Sequence, residues 1–354
     1  MALTGRSLRL LWPVAALLLF CLWRSGGALS RAYYDPGSVY GRLSAIDKAI
    51  YNSSLGFGGI VAVSNGPSWR VDGLLEAANL TAIEIDIPRQ PLRTAHEVDA
   101  FRRLREPETA RDIGPGQARC WMGHRHALSH ALSRGWHTML VLEDDADWDI
   151  AIKHQLAQAA PHIRAISQSS SSRGTASHPY GHGWDMLWIG HCGDAIPSTG
   201  VRIFKDGTLP PSQSYREYTG RHTMLTPEPQ QRVVHWSDGP ICAFAYALTA
   251  SAAAKILRYT DRGVSNILTT DLRWWCQAGF LACVTVNPEL FHHHKKAGER
   301  NSEIAVREGW DDLAAPAGED FTANIRYSAR CNSRATTLVS CQDVFEGDRP
   351  EAAS

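Results

Sequence analysis

The feature that most constrains this chain is the run Leu140-Val141-Leu142-Glu143-Asp144-Asp145, an unbroken apolar stretch that ends in three consecutive carboxylates. An apolar run of this length and composition reads as a strand covered on both faces. Ligands of open α/β sheets bind beyond the carboxyl ends of such strands. Alternation along the strand turns Glu143 and Asp145 to one side and Asp144 to the other. Adjacent carboxylates repel unless a cation or hydrogen-bond donors compensate them. A hard divalent ion with oxygen ligands does so, and it readily shares the phosphates of a nucleotide. Asp147 and Asp149 read differently, as acids at the start of the next helix, where capping and the helix dipole favour them.

The flanking sequence places this strand in an α/β fold. Residues 59–63 form a first buried strand that closes on the turn residues Ser64-Asn65-Gly66-Pro67. A helix through Leu74-Leu75 and a strand over 82–85 follow, which is the start of a parallel sheet. Residues 106–116 are a Pro/Gly-rich loop. The stripe Cys120, Trp121, His124, Ala127, Leu128, Ala131, Leu132 predicts a helix over 117–134, with Gly135 as its C-cap. After the acids come a helix from 150 to about 167, a Ser-rich flexible insertion (168–177) and a strand (184–190). Residues 194–230 read as long loops over the site. Strands over 232–236, 242–246 and 280–286, with helices over 251–259 and 268–277, complete the pattern.

The chain has 354 residues, with 36 basic and 36 acidic side chains and no basic stripe, so nucleic acid is not an expected partner. Arg6 and Arg9 precede an apolar run from Leu10 to Trp23. Residues 1–30 are therefore a signal-anchor, giving a single-pass type II membrane protein, or a signal peptide, giving a secreted one. Residues 31–55 read as a stem, 56–330 as the catalytic domain and 331–354 as a disordered tail. The triplets Asn52-Ser53-Ser54 and Asn79-Leu80-Thr81 are glycosylation acceptors if the chain enters the secretory pathway. Cys21 lies in the apolar run, and the odd number of remaining cysteines allows one to three disulfides and at least one free thiol. Cys331 and Cys341 are the pair to test first. The twelve tryptophans serve a core, a sugar-stacking surface, or both.

The segment from Cys120 to Asp149 resembles glycosyltransferase family 25, particularly its fungal members. The resemblance rests on Cys120, His124, Ala127-Leu128 and the acidic block. It also rests on Leu55-Gly56-Phe57-Gly58, Pro179-Tyr180-Gly181, Trp184 to Gly193, Arg232 to His235, Asp271-Leu272 and Leu290 to His293. It spans roughly residues 55–330. It implies a GT-A fold, that is, a Rossmann-like mixed sheet flanked by helices. It further implies a UDP-sugar donor (often UDP-galactose), a divalent metal (often Mn2+) and inverting transfer. The acceptor would be a glycan or glycoprotein, and the compartment the Golgi. The sequence departs from the family after the first strand, where Trp69, Val71 and Asp72 replace an Arg, an Asp and an Arg.

On this reading Glu143, Asp145 and His293 are the metal ligands, and Glu143, Asp144, Pro67, His191 and Asp194 contact the donor. Asp144 and Asp271 are the catalytic carboxylates, with Asp271 as the base that takes the acceptor proton. Lys295 and Lys296 read either as part of a surface loop or as contacts to the diphosphate. His124 reads as a core histidine or a ligand. His126 and His130 have zinc-like spacing but lack the Glu of a zinc-protease helix. Two alternatives stand beside transfer. One is a hydrolase built on paired carboxylates. The other is a catalytically impaired lumenal relative that binds glycan or protein.

Overall fold

The computed structural model describes residues 40–104, 112–167, 178–211, 215, 230–300, 302, 304 and 318–341. Its strands are β1 (Gly59–Val63), β2 (Thr138–Glu143), β3 (Ala146–Trp148), β4 (Met186–Gly190), β5 (Arg202–Lys205), β6 (Gln231–Trp236), β7 (Ala245–Thr249), β8 (Cys283–Asn287), β9 (Phe291–Lys295) and β10 (Phe321–Thr322). The helices used below are α1 (Trp69–Thr81), α2 (Ala95–Arg103), α3 (Pro115–Ser133), α4 (Ile152–Ser167), α5 (Ala250–Thr260), α6 (Leu268–Gln277) and α7 (Ala329–Asn332).

Seven strands form one sheet in the order β1-β2-β7-β4-β8-β6-β5. The sheet is mixed: β1 and β2 run parallel, as do β4 and β8, while the other neighbours are antiparallel. This is a mixed α/β architecture compatible with a Rossmann-like fold. Alternate side chains of the central strands enter two different cores. Ile60, Leu140, Leu142, Leu187 and Ile189 pack with α1 and α4 on one face. Val61, Met139, Val141, Trp188 and Tyr246 pack with α2, α3, α5 and α6 on the other. Burial on both faces is why these strands read as continuous apolar runs.

Several elements begin on local signals. Ser68 caps α1 through Val71 N–H, Thr94 and Glu97 form a capping box on α2, and Pro115 occupies the first turn of α3. α2 was not expected from the sequence. Gly123 lets α3 approach the end of β1, since an added Cβ would lie 3.0 Å from Val63.

Other expectations are corrected. The strand over 82–85 reduces to a bridge at Asp86, which accepts from Ala62 N–H and donates to Ile60 O. In a parallel ladder the next donor on that side would be residue 88, a proline without an N–H. The 242–246 strand is shifted to β7, and β5 crosses part of the expected 194–230 loop. The stem does not extend to residue 55: Asp47, Ile50 and Leu55 are buried, and Tyr180 donates to Leu55 O at 2.6 Å. Nor does the folded part end at 330. Asn332 bonds Ser328 O and both backbone groups of Val339, and Cys331 is disulfide-bonded to Cys341. The apolar run at the N-terminus, the Ser-rich insertion and residues 342–354 lie outside the described residues. Among those described, no helix is long and apolar enough to cross a membrane.

Candidate functional site

β2 ends at Glu143, whose N–H donates to Phe244 O at 3.0 Å. The turn at Asp144 and Asp145 then leads into β3, which pairs antiparallel with β9 in a second, three-stranded sheet. A cavity of about 560 Å³ opens beside this turn. Its walls come from the ends of β1 and β2, the N-terminal half of α3, residues 241–244, the start of α6, and β9. The disulfide Cys192–Cys242 ties the end of β4 to the 241–244 wall.

Glu143, Asp144, Asp145 and His293 all line this cavity, as do Arg70 and Lys295. The two aspartates already face a cation. Arg70, in the first turn of α1, places Nη1 2.8 Å from Asp145 Oδ2 and 3.7 Å from Asp144 Oδ1. Behind the turn, Arg330 of α7 donates from Nη2 to Asp144 O at 2.6 Å, from Nε to Ala146 O and from Nη1 to Arg70 O. This buried guanidinium fixes the backbone that presents the acids. On the β9 side, the His293 ring lies 4.4 Å from the Phe244 ring. Burial, with Lys295 nearby, holds its imidazole well below the usual range. Burial also lowers the Lys295 ammonium, against the pull of Asp145.

The other expected site residues lie elsewhere. Asp271 is 2% exposed, does not line the cavity, and accepts the N–H groups of Ser265 and Asn266 at 2.9 and 3.0 Å. Burial raises its carboxyl to about 6 despite those two donors. His191 is fully buried, with Nδ1 accepting from Gly193 N–H and Nε2 3.1 Å from Val286 O. Burial holds it neutral, down to about 3. Asp194 accepts from the hydroxyls of Thr285 and Ser237. Both stabilise the junction of β4 and β8 rather than line the cavity. Pro67 is exposed and outside the lining, although its neighbours Ser64 and Asn65 are part of it. Among the described residues no tryptophan lines the cavity, and Trp121, Trp148, Trp188 and Trp275 are core. His130 Nε2 lies 2.8 Å from Asp86 Oδ2, and among the described residues neither His126 nor His130 belongs to a group of three converging metal-ligating side chains.

The fit of a divalent ion can be tested on the donor atoms. Among the described residues, the one trio whose ligating atoms all fall within 4.8 Å of one another is Cys120, His124 and Glu143. Glu143, Asp145 and His293 share the cavity but do not converge in this way, and Arg70 takes Asp145. The expected trio is therefore not a pre-built site for a hard cation.

Sequence reasoning missed Arg70 and Arg330 as partners of the acidic turn. Arg70 had a usable signal, since it stands one turn past the first strand at a helix start, on the side where strand ends meet ligands. Arg330 had none, because its role arises from a contact across 186 positions. The disulfides Cys192–Cys242, Cys276–Cys283 and Cys331–Cys341 point to an oxidising compartment. The Cys331–Cys341 pair was the one singled out from sequence. No protein-family model matches the chain, and no curated protein matches it significantly.

Proposed function

We propose that this protein is a glycosyltransferase of GT-A type, similar to family 25, which moves a hexose from a UDP-sugar to a glycan or glycoprotein in the secretory pathway. The observation that carries this reading is the delivery of Glu143, Asp144 and Asp145 by a doubly buried strand into the wall of a nucleotide-sized cavity. The mixed sheet, and the small second sheet that carries the chain onward from the acidic turn, support the GT-A assignment.

The chemistry needs a base for the acceptor hydroxyl and positive charge for the leaving diphosphate. Asp144 is the expected catalytic carboxylate that lines the cavity, and it takes the base role in place of Asp271. The acceptor oxygen attacks the anomeric carbon, its proton passes to the Asp144 carboxylate, and the bond to the diphosphate breaks. Arg70 and Lys295, both in the lining, face the developing charge. Manganese remains a candidate cofactor, but since its expected ligands do not gather, no step is routed through it.

The test is turnover. The full-length chain is incubated with a panel of UDP- and GDP-hexoses and saccharide acceptors, with manganese or with EDTA, and diphosphate release is followed. Release that requires Asp144 supports the reading, and release unchanged in Asp144→Asn overturns the assignment of the base. The Arg70–Asp145 ion pair favours a second reading, an impaired relative that binds glycan without transfer. Saccharide binding without turnover of any donor would select it.

A further inference from the structure

A second set of side chains in the same cavity shares Glu143 with the acidic turn and has a chemistry that the proposed transfer steps do not use. Cys120 and His124 stand one turn apart on α3, so both project from the same face of the helix. Glu143 reaches them from the end of β2, and His124 Nε2 lies 3.7 Å from Glu143 Oε1. The ligating atoms of all three lie within 4.8 Å of one another, a spread that a single ion can span. The other imidazole nitrogen, Nδ1, lies 2.9 Å from the buried Tyr246 hydroxyl. An Nδ1–H donated to that oxygen leaves the Nε2 lone pair facing Cys120 and Glu143, the arrangement that second-shell partners impose on metal-ligating histidines. Gly123 is what allows α3 to come this close to the strand ends.

We propose that Cys120, His124 and Glu143 bind a divalent ion of the zinc class. A sulfur, a nitrogen and an oxygen ligand suit such an ion better than they suit magnesium or manganese. All three residues line the cavity, so an ion held by them would be within reach of the ligand space. That is the arrangement of a zinc site that admits water or a substrate atom. The state of the cysteines agrees. Six of the described cysteines are paired in disulfides, and Cys120 is the one that keeps its thiol. Loading breaks the Cys120 S–H bond, forms a sulfur–metal bond and releases the proton to solvent. The site does not depend on the transferase reading, since an ion can be counted with no nucleotide present.

The experiment is cobalt and zinc loading of the full-length chain after dialysis against EDTA. The wild type should take up about one ion per chain. With cobalt it should show the near-ultraviolet band of thiolate-to-metal charge transfer. Cys120→Ser should lose that band, and Tyr246→Phe should weaken zinc binding about tenfold. Asp145→Asn should bind zinc as the wild type does. Zinc should also protect the Cys120 thiol from alkylation in the folded wild type, a readout that needs no variant to fold. Absence of the cobalt band together with no protection would overturn the proposal. Uptake that survives in Cys120→Ser but fails in Asp145→Asn would also overturn it, by placing the ion on the acidic turn.

Discussion

The front and the rear of one acidic run meet opposite fates. Glu143 and Asp144 are partly exposed in the wall of a cavity, and Asp145 meets Arg70 there. Asp147 and Asp149, a few residues on, are almost wholly buried. Asp147 accepts from Trp148 N–H, Thr322, Ser328 and the first-turn N–H of Arg330 in α7, so it anchors the C-terminal segment rather than capping α4. Asp149 accepts from Ala151 N–H, just ahead of α4, and from Tyr327 N–H. Acidic residues alone therefore do not mark a site. What separates the two halves is whether backbone and hydroxyl donors surround the carboxylate or leave it facing open volume.

Substitution can break this contrast, and the largest effect is expected at the front. Asp144→Asn should lower transfer by about a hundredfold to ten-thousandfold, with little change in urea midpoint. Asp147→Ala should do the reverse in kind, destabilising the fold by about 3 kcal/mol because several buried donors lose their acceptor. Urea denaturation would measure it, and an unchanged midpoint would contradict the structural role.

Asp149 gives the contrast a pH dependence. Burial, reinforced by Asp206, raises its carboxyl to about 7, against the pull of its two N–H donors and Arg232. The folded value lies above the unfolded one, so this group's stabilisation is full below about pH 4 and is lost as pH rises through about 7. Asp149→Asn cannot ionise. Relative to wild type it should gain about 4 kcal/mol between those limits in thermal or urea unfolding. A constant difference across that window would show that Asp149 is ionised throughout. The smallest effect is expected at Arg70, where Arg70→Ala should cost about 2 kcal/mol in stability, because the largely buried Asp145 carboxylate loses its guanidinium. It should also weaken nucleotide diphosphate about tenfold, as read by calorimetry. Unchanged affinity would remove Arg70 from the charge-neutralising role.

The strand before the acids was legible because both its faces are buried, so Leu140 to Leu142 carry a clear apolar signal that does not depend on distant contacts. The same holds for α3, where Trp121, Ala127 and Leu128 mark the packed face. β9 was not legible as a strand, since His292, His293 and His294 carry no apolar alternation and the pairing with β3 is what orders them. Asp271 and His191 read as site residues because an acid near a helix start and a histidine at a strand end look alike whether they face a cavity or their own loop. Only the positions of Ser265, Asn266, Gly193 and Val286 decide it. Cys120 and His124 were legible as a helical pair, but their convergence on Glu143 depends on how closely α3 approaches the sheet.

Titration calorimetry with UDP, ADP and GDP bears most directly on the acidic turn as a nucleotide diphosphate site. It would be run on the wild type and on Asp144→Asn, in manganese and in EDTA. Saturable binding of UDP to the wild type is expected, with a preference over the purine nucleotides. Heats indistinguishable from dilution for all three nucleotides, in both buffers, would contradict it.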